Sequence, residues 1–349
     1  MSRALSPELA ALLEQTSRTF YKTLKILPAA VRFQISLAYL LARTTDTIAD
    51  TEIVSLPQRL EALEELRRRI LGQSHLSLNF GELARQQGLP AERALLDKVE
   101  SSIGALRELS PADLELVREV LNTITSGQEL DLQRFAGGSV EHIFAMRTDA
   151  ELDDYTYRVA GCVGEFWTNI CRAHLFRTAR LDDAQLLADA VRFGKGLQLV
   201  NILRDLPVDL RKGRCYLPEQ VLSAAGLKPA DLLQPSNEET LRPIYDRYLN
   251  LAEAHLATGW SYTNALPWRC ARVRLACAWP ILIGVRTIAR LRAENPLDPS
   301  RSIKLTRREV RGLVWKSLLR YPLSGAWRDL APLPAQMTGK AVASGRNLP

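Results

Sequence analysis

LQLVNILRDLPVDLRKGRCYLP, residues 197–218, holds the pattern from which the fold can be read. Leu197, Val200, Leu203 and Leu206 recur at helical spacing, and inside that apolar repeat Asn201 and Asp205 stand four residues apart. On an α-helix this spacing stacks both oxygen-bearing side chains on one face. A solvated surface helix has no need of such apolar flanks. The polar pair is therefore expected to look inward, where oxygen ligands cost desolvation unless something positive meets them. A hard divalent cation is one candidate. Asp209 follows four residues later, but Pro207 lies between; a proline removes an amide donor and clashes with the preceding turn, so the helix from 182 is expected to end at 206. Asp209 then either ligates metal at a kink or pairs with Arg211.

AYLLARTTDTIAD, residues 38–50, repeats the device: Asp46 and Asp50 lie four apart after Tyr39, Leu40 and Leu41. Val31, Ile35, Ala38, Leu41 and Thr45 set a helical period over 29–49, which puts the acidic pair near a helix C-terminus. The helix dipole disfavours carboxylates there, and a compensating cation becomes the more reasonable partner. Arg43 lies three residues before Asp46, and Arg204 directly precedes Asp205. Such mixed clusters suit a metal diphosphate: carboxylates ligate Mg²⁺, which keeps several waters, while arginine forks bind phosphate oxygens. The alternative is a pair of helix-surface salt-bridge networks. Two pairs, each embedded in an apolar repeat, favour facing helices that hold Mg²⁺ and, through it, a diphosphate.

The 349 residues are 46% hydrophobic and 24% charged, ordinary for a soluble globular chain with a sizeable core. A net charge of +7 raises acidic partners, namely nucleic acid, anionic lipid or a phosphorylated small molecule, and alone separates none of them. No nucleic-acid module or aromatic-interleaved basic stripe is present, so nucleic acid is not expected as a partner. The five cysteines show no CxxC spacing, against a zinc site or disulfide framework. The N-terminus lacks a signal-peptide apolar core, and the longest apolar run, 276–285, contains Pro280 and is shorter than the roughly 18 to 20 residues a span requires. A cytoplasmic location is expected.

Along the chain, apolar periodicity and caps predict helices at 6–16, 29–49, 57–71, 91–109, 111–135, 149–176, 182–206, 218–225, 238–265, 269–293 and 306–321, with a loop at 72–90 that can carry a short helix. Strand-like alternation is nearly absent. The reading is all-α, a single domain over 1–330 and a disordered tail over 331–349. The four histidines read as structural or exposed, and Cys162 and Cys171 as small core residues.

SRTF (17–20), DTIAD (46–50), YTYRVAGCVG (155–164) and NILRDLPVDLRKGRCYLP (201–218) together resemble the signature blocks of the squalene and phytoene synthase family. The likeness covers about residues 16 to 320, in order. It implies an isoprenoid-synthase fold, with aspartate-rich helices facing across a central cavity, and head-to-head condensation of two allylic prenyl diphosphates through a cyclopropylcarbinyl diphosphate. By the resemblance, Asp46 and Asp50 match the first acidic motif and Asn201, Asp205 and Asp209 the second. Ser17, Arg18, Arg43, Gln198 and Arg204 match positions around the diphosphates, Tyr155 a tyrosine that assists rearrangement, and Asp131 a recurring cleft position. Val159, Ala160, Gly161, Val163 and Gly164 are small enough to wall a long apolar chain, with Phe166 and Trp167 nearby; close helix packing is the other reading of the two glycines.

The run RSIKLTRREVR, with Arg301, Lys304, Arg307, Arg308 and Arg311, lies where squalene synthases bind NADPH phosphates, which makes Lys304 and Arg307 the candidates here. Thr306 stands where that resemblance expects a basic residue. A solvated basic helix start and a membrane-surface patch are the competing readings. DTIAD leans to squalene synthases, with Ala49 in place of an expected Glu; GRCYLP leans to phytoene synthases. The expectation is squalene formation from farnesyl diphosphate via presqualene diphosphate and NADPH reduction, the alternatives being phytoene, dehydrosqualene or arrest at presqualene diphosphate. An apolar product also suggests peripheral membrane contact.

Overall fold

The computed structural model describes residues 4–17, 20–300 and 303–331. Within them the chain is helical almost throughout. The first half comprises α1 (Pro7–Thr16), α2 (Tyr21–Ile26), α3 (Ala29–Asp50), α4 (Leu56–Leu71), α5 (Gly81–Gln86), α6 (Pro90–Asp97), α7 (Val99–Ala105) and α8 (Pro111–Arg134). The second comprises α9 (Asp149–Thr156), α10 (Cys162–Leu175), α11 (Asp183–Arg211), α12 (Glu219–Ala224), α13 (Glu238–Ala265), α14 (Ala271–Ala293), α15 (Arg307–Arg320) and α16 (Ser324–Arg328).

The helix starts follow local chemistry. Ser6 and Ser110 accept from the amides of Leu9 and Asp113 at 3.3 and 3.2 Å, each followed by a proline that has no amide to satisfy. Thr306 and Glu309 form a reciprocal capping box at α15. That explains the threonine in the basic run: it starts a helix. α3 buries Phe33, Leu37, Leu40, Leu41 and Ile48 around most of its circumference and is a core helix rather than a surface one.

Three expectations need correction. The predicted 91–109 helix divides into α6 and α7 at Lys98. The predicted 149–176 helix is interrupted by a π turn, Tyr157–Gly161; an added residue in one turn rotates α10 relative to α9 and widens the backbone locally. Finally, α11 does not end at 206 but continues through Pro207 to Arg211. Pro207 deprives the Leu203 carbonyl of its intrahelical donor, and the buried Tyr245 hydroxyl of α13 donates to that carbonyl instead, at 2.8 Å.

The one strand pair among the described residues, Phe144–Ala145 beside Arg214–Cys215, is parallel and two residues long. It fixes the chain leaving α11 against the segment leaving α8. The buried apolar residues form one contiguous core, in which the five cysteines are buried and free. Contact of α11 with α10 and the π turn before it is backbone to backbone: a Cβ on Gly164 of α10 would lie 2.1 Å from the Ala190 carbonyl oxygen, and one on Gly194 2.2 Å from that of Ala160 in the π turn. Close packing is thus what Gly164 does. Among the described residues no helix is long and apolar enough to cross a membrane. Most of the predicted tail, 332–349, lies outside the described residues.

Candidate active site

A cavity of about 390 Å³ is enclosed by α2, α3, α8, the π turn, α10, α11, α13 and α14. Its wall is largely apolar, with Ile124, Val159, Val163, Trp167, Phe193 and Leu197 among the lining residues. Phe20 stacks on Tyr39 at 5.1 Å between centroids, presenting aromatic surface to the same space. Asp46 is its sole charged lining residue among those described, and Gln198 and Asn201 face it from α11. A long apolar chain with a charged head is the shape of ligand this lining accommodates.

The charged end is built by four segments. On α3, Asp46 accepts from Gln128 Nε2 of α8 at 2.5 Å and lies 3.5 Å from Arg43, whose other bond, at 2.6 Å, goes to Glu92 of α6. Burial, then the neighbouring Asp50, pushes the Asp46 carboxyl up to about 6. About half of its side-chain surface is accessible, and it lines the cavity. On α11, Arg204 forks onto Asp205 with bonds of 2.9 and 2.5 Å. Burial and Asp205 raise Asp209 to about 7, against the opposing pull of Arg214 and Lys212.

Asp131 of α8 joins this end. Tyr216, just past the second strand, donates to its Oδ2 at 3.0 Å, and the Tyr216 ring stacks on Tyr155 at 5.0 Å. Burial raises Asp131 to about 6, although Arg214 and Tyr216 pull it down. Burial, then the charge of Asp131, lifts Tyr155 well above the ordinary phenol value, with Asp209 and Asp46 adding to the effect. Tyr155 is thus a protonated hydroxyl amid Asp46, Asp131 and Asp209. Glu52, two residues past α3, takes Lys212 and Arg214 at 3.2 Å each and so ties the acidic ends of α3 and α11 together.

Two buried oxygens here, Asp131 Oδ1 and Gln128 Oε1, have no hydrogen-bond partner. Orphaned acceptors beside carboxylates raised by burial and mutual repulsion are oxygen donors of the kind a hard cation accepts. No three of His, Cys, Asp or Glu converge tightly enough among the described residues to ligate one ion alone. A hard divalent cation completing its shell with water and phosphate oxygens suits that spacing.

A sequence model of the squalene/phytoene synthase family matches residues 13–309. The chain belongs to the squalene/phytoene synthase family. It is 31% identical over 70% of its length to a bifunctional lycopene cyclase/phytoene synthase from Colletotrichum graminicola, of which it spans only 40%. It is 29% identical to a phytoene synthase from Cereibacter sphaeroides, over 86% of this chain and 75% of that protein. A squalene synthase from Schizosaccharomyces pombe is 28% identical, over 80% and 58% respectively. A ligand complex of TcSQS superimposes with a TM-score of 0.74 at 20% identity, covering 95% of this chain and 93% of the other, which places the chain in the isoprenoid-synthase fold.

Within this family member, the structure gathers most of the residues singled out from the sequence. Asp46, Gln198 and Asn201 line the cavity, and Arg43, Asp50, Asp131, Tyr155, Arg204, Asp205 and Asp209 lie around its charged end. Ser17 is buried with its hydroxyl donated to the Leu13 carbonyl, turned into its own helix end rather than the cavity. Arg18 and Arg301 lie outside the described residues. Lys304 and Arg307 are exposed and absent from the lining; α14 presents Ala276 and Pro280 to the cavity and packs on α15 through Trp279 and Ser317. Gln128, Arg214 and Tyr216 were missed. Gln128 is one helical turn before Asp131, and Tyr216 sits in the GRCYLP block, so both signals were present without a partner to give them meaning.

Proposed function

We propose that this chain couples two allylic prenyl diphosphates head to head, forming squalene from farnesyl diphosphate through presqualene diphosphate with a final NADPH reduction. The observation that carries the reading is the polarity of the cavity: an apolar chamber lined by Asp46 of α3 and Asn201 of α11, with Asp46 and Asp209 both acting on Tyr155 and Asp205 acting on Asp209 at that end.

Asp46 and Asp50 on one side, and Asn201, Asp205 and Asp209 on the other, would hold Mg²⁺. When bound, that ion neutralises the charge developing on a departing diphosphate. Arg43 and Arg204, each already against a carboxylate of the pair, are placed to swing a guanidinium fork onto phosphate oxygens. Val159, Val163, Leu197 and Phe193 exclude water from the allylic cation, and the faces of Phe20, Tyr39 and Trp167 stabilise its charge. Tyr155, kept protonated, offers a hydroxyl dipole at the charged end and supports the rearrangement without itself giving up a proton. Lys304 and Arg307 are the residues proposed for the nicotinamide phosphates.

A second reading, phytoene or dehydrosqualene formation without reduction, draws on the phytoene synthase likeness over 86% of the chain. One experiment separates them: incubation of the purified chain with Mg²⁺ and farnesyl or geranylgeranyl diphosphate, with and without NADPH, and chromatographic identification of the hydrocarbon. Squalene appearing only with NADPH supports the first reading. A C40 product, or a C30 product indifferent to NADPH, replaces it with the second. No diphosphate release from either substrate sinks both.

A further inference from the structure

The outward face of α15 is built against the usual rule for a solvated helix. Val310, Leu313, Val314 and the fully buried Ser317 form its inner side, with the Ser317 hydroxyl accepting from Trp279 Nε1 at 2.9 Å. Opposite them, one turn apart, stand Trp315 and Leu319, 65% and 73% exposed, with Leu318 beside them and Leu323, 63% exposed, just beyond the helix. Their neighbours are basic. Residues 304–320 contain six Lys or Arg (Lys304, Arg307, Arg308, Arg311, Lys316, Arg320) against one acid, Glu309, a net charge of +5 in a chain whose net charge is +7. Glu309 is itself engaged by Arg290, and none of the six basic side chains has an ion pair among the described residues.

We infer that this face of α15, with Leu323, docks the protein on an anionic lipid bilayer. An exposed tryptophan and leucines rimmed by unpaired cations match the two components of interfacial binding: apolar side chains entering the acyl boundary, and lysines and arginines meeting lipid phosphates. The cations flanking Trp315 and Leu319 are Arg308, Arg311 and Lys316, apart from the Lys304 and Arg307 proposed for the nicotinamide phosphates, and a dinucleotide would leave the apolar residues without a purpose. A second copy of this chain would meet the same uncompensated positive charge on its own α15. The face is presented rigidly, because Trp327 of α16 and Tyr321 close over Arg274 of α14, whose guanidinium donates to the Leu266 carbonyl at 2.9 Å and lies 4.6 Å from the Trp268 ring.

Flotation of the full chain with vesicles of phosphatidylcholine alone, and of phosphatidylcholine mixed with phosphatidylglycerol, tests the inference. Binding is expected to the mixed vesicles only and to fall as salt rises. Trp315→Ser with Leu319→Ser is expected to abolish it while leaving turnover of detergent-dispersed substrate unchanged, and Arg311→Glu with Lys316→Glu to weaken it by about tenfold or more. Equal binding of the parent and the Trp315/Leu319 variant, or no binding to mixed vesicles, overturns the assignment. So does a species of twice the mass in sedimentation without lipid that the same variant dissolves, which would give the face to a second copy.

Discussion

The Tyr245 hydroxyl, on α13, occupies the donor position that Pro207 leaves empty beneath the Leu203 carbonyl of α11. A helix that should stop at a proline therefore runs one more turn, and that turn carries Asp209. Tyr245→Phe is expected to leave a buried carbonyl unpaired and to cost about 1–3 kcal/mol, measured by urea denaturation. Pro207→Ala restores an amide at that point, so the cost of Tyr245→Phe should shrink in its presence. A full cost in both backgrounds would show that the hydroxyl does not serve α11.

Removing either acidic edge should stop ionisation of the substrate. Asp46→Asn and Asp205→Ala are each expected to lower diphosphate release by about 100-fold or more with unchanged far-ultraviolet dichroism. Near-normal turnover in both variants contradicts the proposed function.

The same carboxylates set a pH dependence. Asp46 and Asp131 at about 6 and Asp209 at about 7 lie above the ordinary 3.8, so the folded chain binds more protons than the unfolded one between those values. Stability of the metal-free protein should therefore fall as pH rises from about 4 to about 7 and level off above. Asp209→Asn should flatten part of that slope. Added Mg²⁺ should raise the melting temperature more at pH 8 than at pH 5, since only the deprotonated carboxylates ligate. A melting temperature indifferent to Mg²⁺ at both pH values would count against the metal assignment.

Glycines separate by what faces them. Gly164→Ala or Gly194→Ala drives a Cβ into a backbone carbonyl of the facing segment, and a loss of about 3 kcal/mol or more is expected. Gly104 of α7 has nothing within 4 Å of the added carbon, and Gly104→Ala should stabilise by about 0.5–1 kcal/mol. Thermal denaturation of the three variants checks the contrast.

Arg274 is buried with no carboxylate partner among the described residues, held by carbonyl oxygens, the Asn264 amide oxygen at 2.8 Å and three aromatic faces. Lysine keeps the charge but not the planar fork. Arg274→Lys should loosen α15 and α16 first, seen as earlier cleavage within 303–331 in limited proteolysis. Unaltered cleavage would show that the aromatic packing alone holds the segment.

The long helices were legible because each carries its own instructions. The 238–265 prediction coincides with α13, 29–49 stops one residue short of the end of α3, and 306–321 exceeds α15 by one residue at each end, since apolar period, caps and terminal breaks are local features. Spacing alone also put Asn201 with Asp205, and Asp46 with Asp50, on single helix faces. What it left undetermined depended on partners distant in the chain. The continuation past Pro207 required a hydroxyl 42 residues from Leu203, the environment of Asp46 an amide 82 residues away, and that of Asp131 a tyrosine 85 residues away. A sequence lists which groups can donate, accept or carry charge. Only the packed structure decides which of them meet out of water, where a hydrogen bond can carry a helix past a proline and burial can hold a carboxylate well above its ordinary pKa.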